Sequence, residues 1–180
     1  MNTSCWIHQY KEYFEVGSYI FTILGFIAII SSIIALFISR NQMRFTVIAR
    51  CVDIFRDHYA DISPESNQEK CLKYMDFINE ELFYFQHRYI PKSVALEWID
   101  GMLNHFPVYH NGVIVNSNYC LPQFLTLKHN YPRVKESFEI EGSYNFKLIF
   151  SEDSLKSVHY NKERRRLAQE ILKNSKSVKY

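Results

Sequence analysis

Hydrophobic and polar positions divide this 180-residue chain unevenly. Residues 17–39 read GSYIFTILGFIAIISSIIALFIS, 23 residues without a formal charge, closed by Arg40. At about 1.5 Å per residue such a helix crosses a hydrocarbon layer of about 30 Å. The pattern predicts one membrane helix over 17–39. Beyond it no uninterrupted apolar run approaches that length, and apolar positions recur at helical spacing instead. Between Phe26 and Ile62 there is neither Gly nor Pro, so the span is expected to continue as one helix. Val47, Ile48, Cys51, Ile54, Phe55 and Tyr59 keep its period, and Ser63-Pro64 is expected to end it.

The following segments also read as helices. Ser66-Asn67-Gln68-Glu69 is a capping-box pattern, with Ser66 as the cap. It precedes a run carrying Cys71, Leu72, Met75, Ile78, Leu82, Phe83 and Phe85. Pro91 suits the first turn of a further helix with Val94, Ala95, Trp98, Ile99, Met102 and Leu103 on one face. At 106–116 (FPVYHNGVIVN), Asn111-Gly112 fits a hairpin turn, and a loop leading to another helix fits as well. Residues 133–141 read as a short helix and 146–150 as a strand. Residues 154–173 read as a helix with an acidic start and a basic end, as the helix dipole favours. The fold class is therefore mainly α, with one N-terminal transmembrane helix continuing into a helical cytosolic domain. The divisions are 1–16 outside the membrane, 17–39 spanning, 40–155 the cytosolic domain, and 156–180 a basic helix and tail.

Flanking residues argue for a retained anchor. A cleaved signal has a basic start and a shorter apolar run, whereas residues 1–16 carry Lys11 against Glu12 and Glu15. Position 2 is Asn and the last residue is Tyr, so lipidation motifs are lacking. Arg40, Arg44 and Arg50 follow the span, and the positive-inside bias places that side in the cytosol. Trp6, Tyr10, Tyr13 and Phe14 suit an interfacial belt. Cys51, Cys71 and Cys120 then lie on the reducing side as free thiols, with Cys5 alone outside.

Small residues in the span are periodic. Ser18, Gly25, Ser32 and Ser39 recur every seven residues, as do Ala28 and Ala35. One smooth stripe results, where a second helix can approach closely and Ser hydroxyls can bond across the pair. A homo-oligomer seam in the bilayer is the expectation.

Charge changes the picture at the C-terminal end. Residues 156–180 carry a net charge of +6 against an overall +2. Lys162, Arg164, Arg165 and Arg166 form a basic patch, followed by Lys173, Lys176 and Lys179. Anionic lipid is the nearest polyanion for a tethered chain; nucleic acid and acidic protein are the other candidates.

Catalytic signatures are missing. The chain holds five Gly with no phosphate loop, and no HExxH, GxSxG or paired CxxC. No two of the seven His share a helical face at i+3 or i+4, so no metal or cofactor is expected. Glu80 and Glu81 with Asp100 can form a carboxylate pair in space, whereas acidic residues at the edge of amphipathic helices ordinarily form a solvated face, and the solvated face is the expectation. Tyr84, Phe85, Trp98 and Phe106 are a candidate aromatic pocket for a nucleotide, at a spacing that equally describes core.

Residues 81–106, ELFYFQHRYIPKSVALEWIDGMLNHF, carry an acidic-aromatic helix at Glu81-Leu82-Phe83, a break at Tyr89-Ile90-Pro91, and a helix with Trp98 and Gly101. With the preceding membrane helix this resembles bacterial phage abortive-infection membrane proteins, the AbiC-like group, over residues 20–110. Several such proteins have two membrane helices, whereas this chain has one. The resemblance implies anti-phage defence from the bacterial inner membrane and a halt to growth. The expected function is a non-enzymatic effector that oligomerises and disrupts the membrane when its cytosolic domain is triggered by a protein, a nucleic acid or a nucleotide. The alternative is a tethered interaction or sensor module with a passive anchor.

Overall fold

The computed structural model describes residues 3–127, 130–150 and 158–177. It is mainly helical, and its contacts divide the chain into two units, Met1–Phe45 and Thr46–Tyr180.

In the first unit the backbone is helix alone, the greater part of α1 (Thr3–His58). Its apolar side chains point outward on every side: Ile20 is 53% exposed, Phe21 78%, Ile29 59% and Leu36 72%. A stretch with hydrophobic residues on all faces is consistent with a single membrane span or a signal segment. The hydroxyls along it bond within their own helix. Thr22 Oγ1 donates to the Ser18 carbonyl and Ser32 Oγ to the Ala28 carbonyl, each at 2.8 Å.

The second unit begins with the end of α1 and continues with α2 (Gln68–Gln86) and α3 (Lys92–Met102). Helix α1 stops at His58, before Ser63-Pro64, in a turn closed by Ile62 N–H on the Tyr59 carbonyl. The α2 cap also differs from expectation. Asn67 Oδ1 takes the Lys70 N–H at 2.8 Å, while Ser66 Oγ accepts from Ser63 N–H one turn earlier. Asn holds the cap position as well as Ser does, and Ser66 is occupied by the preceding turn. Helix α2 ends where Arg88 takes a left-handed conformation (φ 58°).

Two residues, Asn111 and Gly112, link strands β1 (Tyr109–His110) and β2 (Val113–Ile114), both with positive φ as a type I′ turn requires. Pairing is Tyr109 with Ile114 and His110 with Val113. Helices α4 (Pro122–Leu127) and α5 (Pro132–Phe138) follow, and α5 runs straight into β3 (Glu139–Ile140). Strand β3 pairs parallel to β1, giving the sheet order β2-β1-β3.

The strand expected at 146–150 is a one-turn helix, α6 (Phe146–Ile149). Asn145 Oδ1 accepts from Leu148 N–H at 3.1 Å and starts it, and helical spacing buries Ile149 and Phe150. The last helix, α7 (Val158–Ser177), packs on α2, α3, α5 and α6. Its buried face is Arg164, Leu167, Ala168, Ile171, Leu172 and Ser175. Residues 154–157 of the expected C-terminal helix and Lys179 of its tail lie outside the described residues, as do the side chains of Cys5 and Trp6.

Candidate functional site

The chemistry of the second unit concentrates around a cavity of about 350 Å³. Helix α1 contributes Cys51, Val52, Phe55 and Arg56; α2 contributes Tyr74 and Glu81; α3 contributes Glu97, Trp98, Gly101 and Met102; Asn104 and His105 follow α3.

Glu81 is the unusual member. It stands three residues after Ile78 and four after Phe77, on the buried stripe of α2, and is only 5% exposed. The expectation that it belongs to a solvated face is overturned: helical register turns it inward. No hydrogen bond or ion pair meets its carboxyl among the described residues. Burial, and then the neighbouring Glu80, hold its pKa well above the ordinary carboxylate range. Glu80 is placed differently. Its carboxylate meets Arg50 at 3.0 Å and accepts the Tyr84 hydroxyl proton at 2.5 Å.

Among the other walls, Glu97 and Arg56 carry charge. Burial, with the Glu81 and Glu80 charges, pushes the Cys51 thiol up to about 12, so it is no nucleophile. Burial raises Tyr74, again with Glu81 contributing, and lowers His105. Arg56 is committed to Asp53 at 2.9 Å and Asp57 at 3.2 Å. Cys51, Cys71 and Cys120 are buried free thiols. Among the described residues no three His, Cys, Asp or Glu are grouped to hold a metal ion.

The residues anticipated as an aromatic pocket are divided by the structure. Phe85 and Trp98 meet with ring centroids 6.2 Å apart. Phe106 is in the core against Phe124 at 4.6 Å and Phe138 at 5.3 Å. Tyr84 packs beside Phe83 and Tyr89. Of the four, Trp98 lines the cavity. The available sequence signal for this cavity was a charged residue in register with the apolar stripe of α2.

The basic cluster is likewise divided. Lys162 and Arg165 are exposed. Arg164 is buried and bonded to Asp100, whose side chain remains half exposed to solvent. Arg166 lies over the Tyr144 ring at 4.5 Å and donates to the Ser143 carbonyl. The seam positions Ser18, Gly25, Ala28, Ser32, Ala35 and Ser39 are all exposed on α1. A Cβ added at Gly25 meets nothing within 4 Å.

Comparison with models of protein families, with curated proteins and with solved structures finds no match.

Proposed function

We propose that this protein is a membrane-anchored effector of a bacterial abortive-infection type of defence. The carrying observation is the all-round exposure of the apolar side chains in residues 17–39, against a second unit that buries its own. In water so much exposed apolar surface favours aggregation; in a bilayer it is the ordinary state of a spanning helix.

Arg40, Arg44 and Arg50 orient the chain with its C-terminal part in the cytosol. Copies associate in the inner membrane along Ser18, Gly25, Ala28, Ser32, Ala35 and Ser39. With the hydroxyls of Ser18 and Ser32 bonded inside the helix, the seam works by close backbone approach and not by bonds between helices. Helix rearrangement on triggering disturbs the bilayer, without catalysis. The defence assignment rests on the resemblance of residues 81–106 to abortive-infection proteins.

The test is cross-linking in membranes. The wild type forms cross-linked oligomers, and Gly25→Leu with Ser32→Leu abolishes them. Because open space surrounds Gly25 in the single chain, a loss reports packing between copies. Unchanged oligomers contradict the seam.

One observation favours a second reading. A cavity holding an unpartnered carboxyl suits a ligand-responsive module with a passive anchor. Replacing residues 17–39 with an Ala/Leu helix of equal length separates the two: a passive anchor survives the exchange and an effector does not.

A further inference from the structure

Glu81, buried in the second unit, has a cavity in front of it and no hydrogen-bond or ion-pair partner among the described residues. Buried carboxyls ordinarily find a hydrogen bond, because an unmet one costs free energy. Asn116 and Arg164 follow that rule. The space beside Glu81, at about 350 Å³, falls in the range of small-molecule sites.

The walls specify the chemistry of what fits. Glu97 adds a second carboxylate, while the cation of Arg56 is taken by Asp53 and Asp57. His105 is held neutral by burial. An anion would enter with no free positive charge to meet it. A purely apolar molecule would close the Glu81 oxygens off in the cavity and give them no partner. Phe55, Tyr74 and Trp98 supply aromatic surface, which attracts cations and packs flat rings. A flat cation with paired N–H groups satisfies a carboxylate through two parallel bonds.

We propose that the cavity walled by Cys51, Phe55, Tyr74, Glu81, Trp98 and His105 binds a small organic cation, an amidine, guanidine or amine on a compact apolar body, with its N–H groups donating to Glu81. The site stands independently of how the span acts. Without ligand, Glu81 keeps its proton. Binding requires the carboxylate, so one proton leaves Glu81 for solvent as each cation enters. Affinity therefore rises with pH, by about tenfold per unit while Glu81 remains protonated in the empty site.

The experiment uses the full chain in nanodiscs with Trp6→Phe, which leaves Trp98 as the sole tryptophan of the original two. Trp98 emission is followed during titration with benzamidine, phenylguanidine and phenethylamine, and with benzoate as the anionic control. The expected result is a saturable change with at least one of the three cations and none with benzoate. Glu81→Gln is expected to weaken binding at least tenfold and to remove its pH dependence. Should Glu81→Gln not fold, Gly101→Leu serves instead. Gly101 lines the cavity and a Cβ there meets nothing within 4 Å, so a larger side chain is accommodated without displacing backbone and is expected to occupy the cavity. It is expected to abolish binding while leaving every charge in place. Absence of saturable binding by all three cations overturns the proposal, as does equal binding of benzoate. Wild-type affinity in a folded Glu81→Gln chain, or in Gly101→Leu, overturns it as well.

Discussion

Arg164 and Asp100 join the last helix to α3. Arg164 Nε donates to Asp100 Oδ1 at 2.5 Å, its Nη2 donates to the Asp100 carbonyl, and the same nitrogen reaches Asn104 Oδ1 at 2.7 Å. Arg164 is 5% exposed, whereas the Asp100 side chain is 50% exposed. One guanidinium thereby satisfies three acceptors across a helix interface, which its planar fork suits better than a lysine would. Arg164→Ala leaves those acceptors unmet and is expected to cost about 2–3 kcal/mol, because half of the pair is solvated. Arg165→Ala, one residue along on the exposed face, is expected to stay within about 0.5 kcal/mol. Denaturant unfolding of the full chain in detergent micelles distinguishes them. Equal effects would return Arg164 to the surface.

Asn116 fixes the base of the hairpin. Buried, it donates from Nδ2 to the Phe106 carbonyl at 2.6 Å and accepts from Val108 N–H at 2.7 Å. The Cys120 thiol also points at it, 3.2 Å from Oδ1. Backbone groups that the neighbouring strand leaves unmet, here the Phe106 carbonyl and the Val108 N–H, need such a side chain to complete their bonds. Asn116→Ala is expected to destabilise by about 2–3 kcal/mol in the same unfolding assay. A change under about 0.5 kcal/mol would show that solvent reaches these groups.

Glu81 gives the chain a pH dependence of definite sign. The unfolded carboxyl loses its proton near the ordinary 4.5, and the folded one keeps it to higher pH. Between those two values the folded state binds more protons, so stability falls as pH rises. The contribution is fully present below pH 4.5 and lost as pH rises through the folded value. Comparing Glu81→Gln with the wild type isolates this effect. The variant is expected to gain on the wild type by up to about 1.4 kcal/mol per pH unit in that window. Parallel stability curves for the two would place the Glu81 carboxyl in solvent.

Much of this architecture was legible from spacing alone. The apolar stripe from Cys71 to Phe85, the break before Pro91 and the Asn111-Gly112 turn each depend on local chemistry, and each is found in the structure. What spacing could not give depends on distant partners. Strand β3 exists because it pairs with β1, thirty residues earlier in register, Tyr109 with Glu139. Residues 146–150 are a short, mostly apolar run that suits a strand, yet Asn145 caps a helical turn there. Four arginines and lysines in five positions read as one patch, but α7 turns Arg164 inward because Leu167, Ala168 and Ile171 share its face. The candidate site was hidden for the same reason. Glu81 looked like the edge of an amphipathic helix, and only the end of α1 and α3 close a cavity over it.

On the proposed function, residues 17–39 act on the membrane and do more than anchor. The most direct test is membrane potential in bacteria carrying the full chain, compared with the chain whose span is an Ala/Leu helix, during overproduction and during phage challenge. The account predicts depolarisation and arrested growth with the native span and neither with the replacement. Growth arrest or phage resistance with a fully polarised membrane, or equal activity of the two spans, would contradict it.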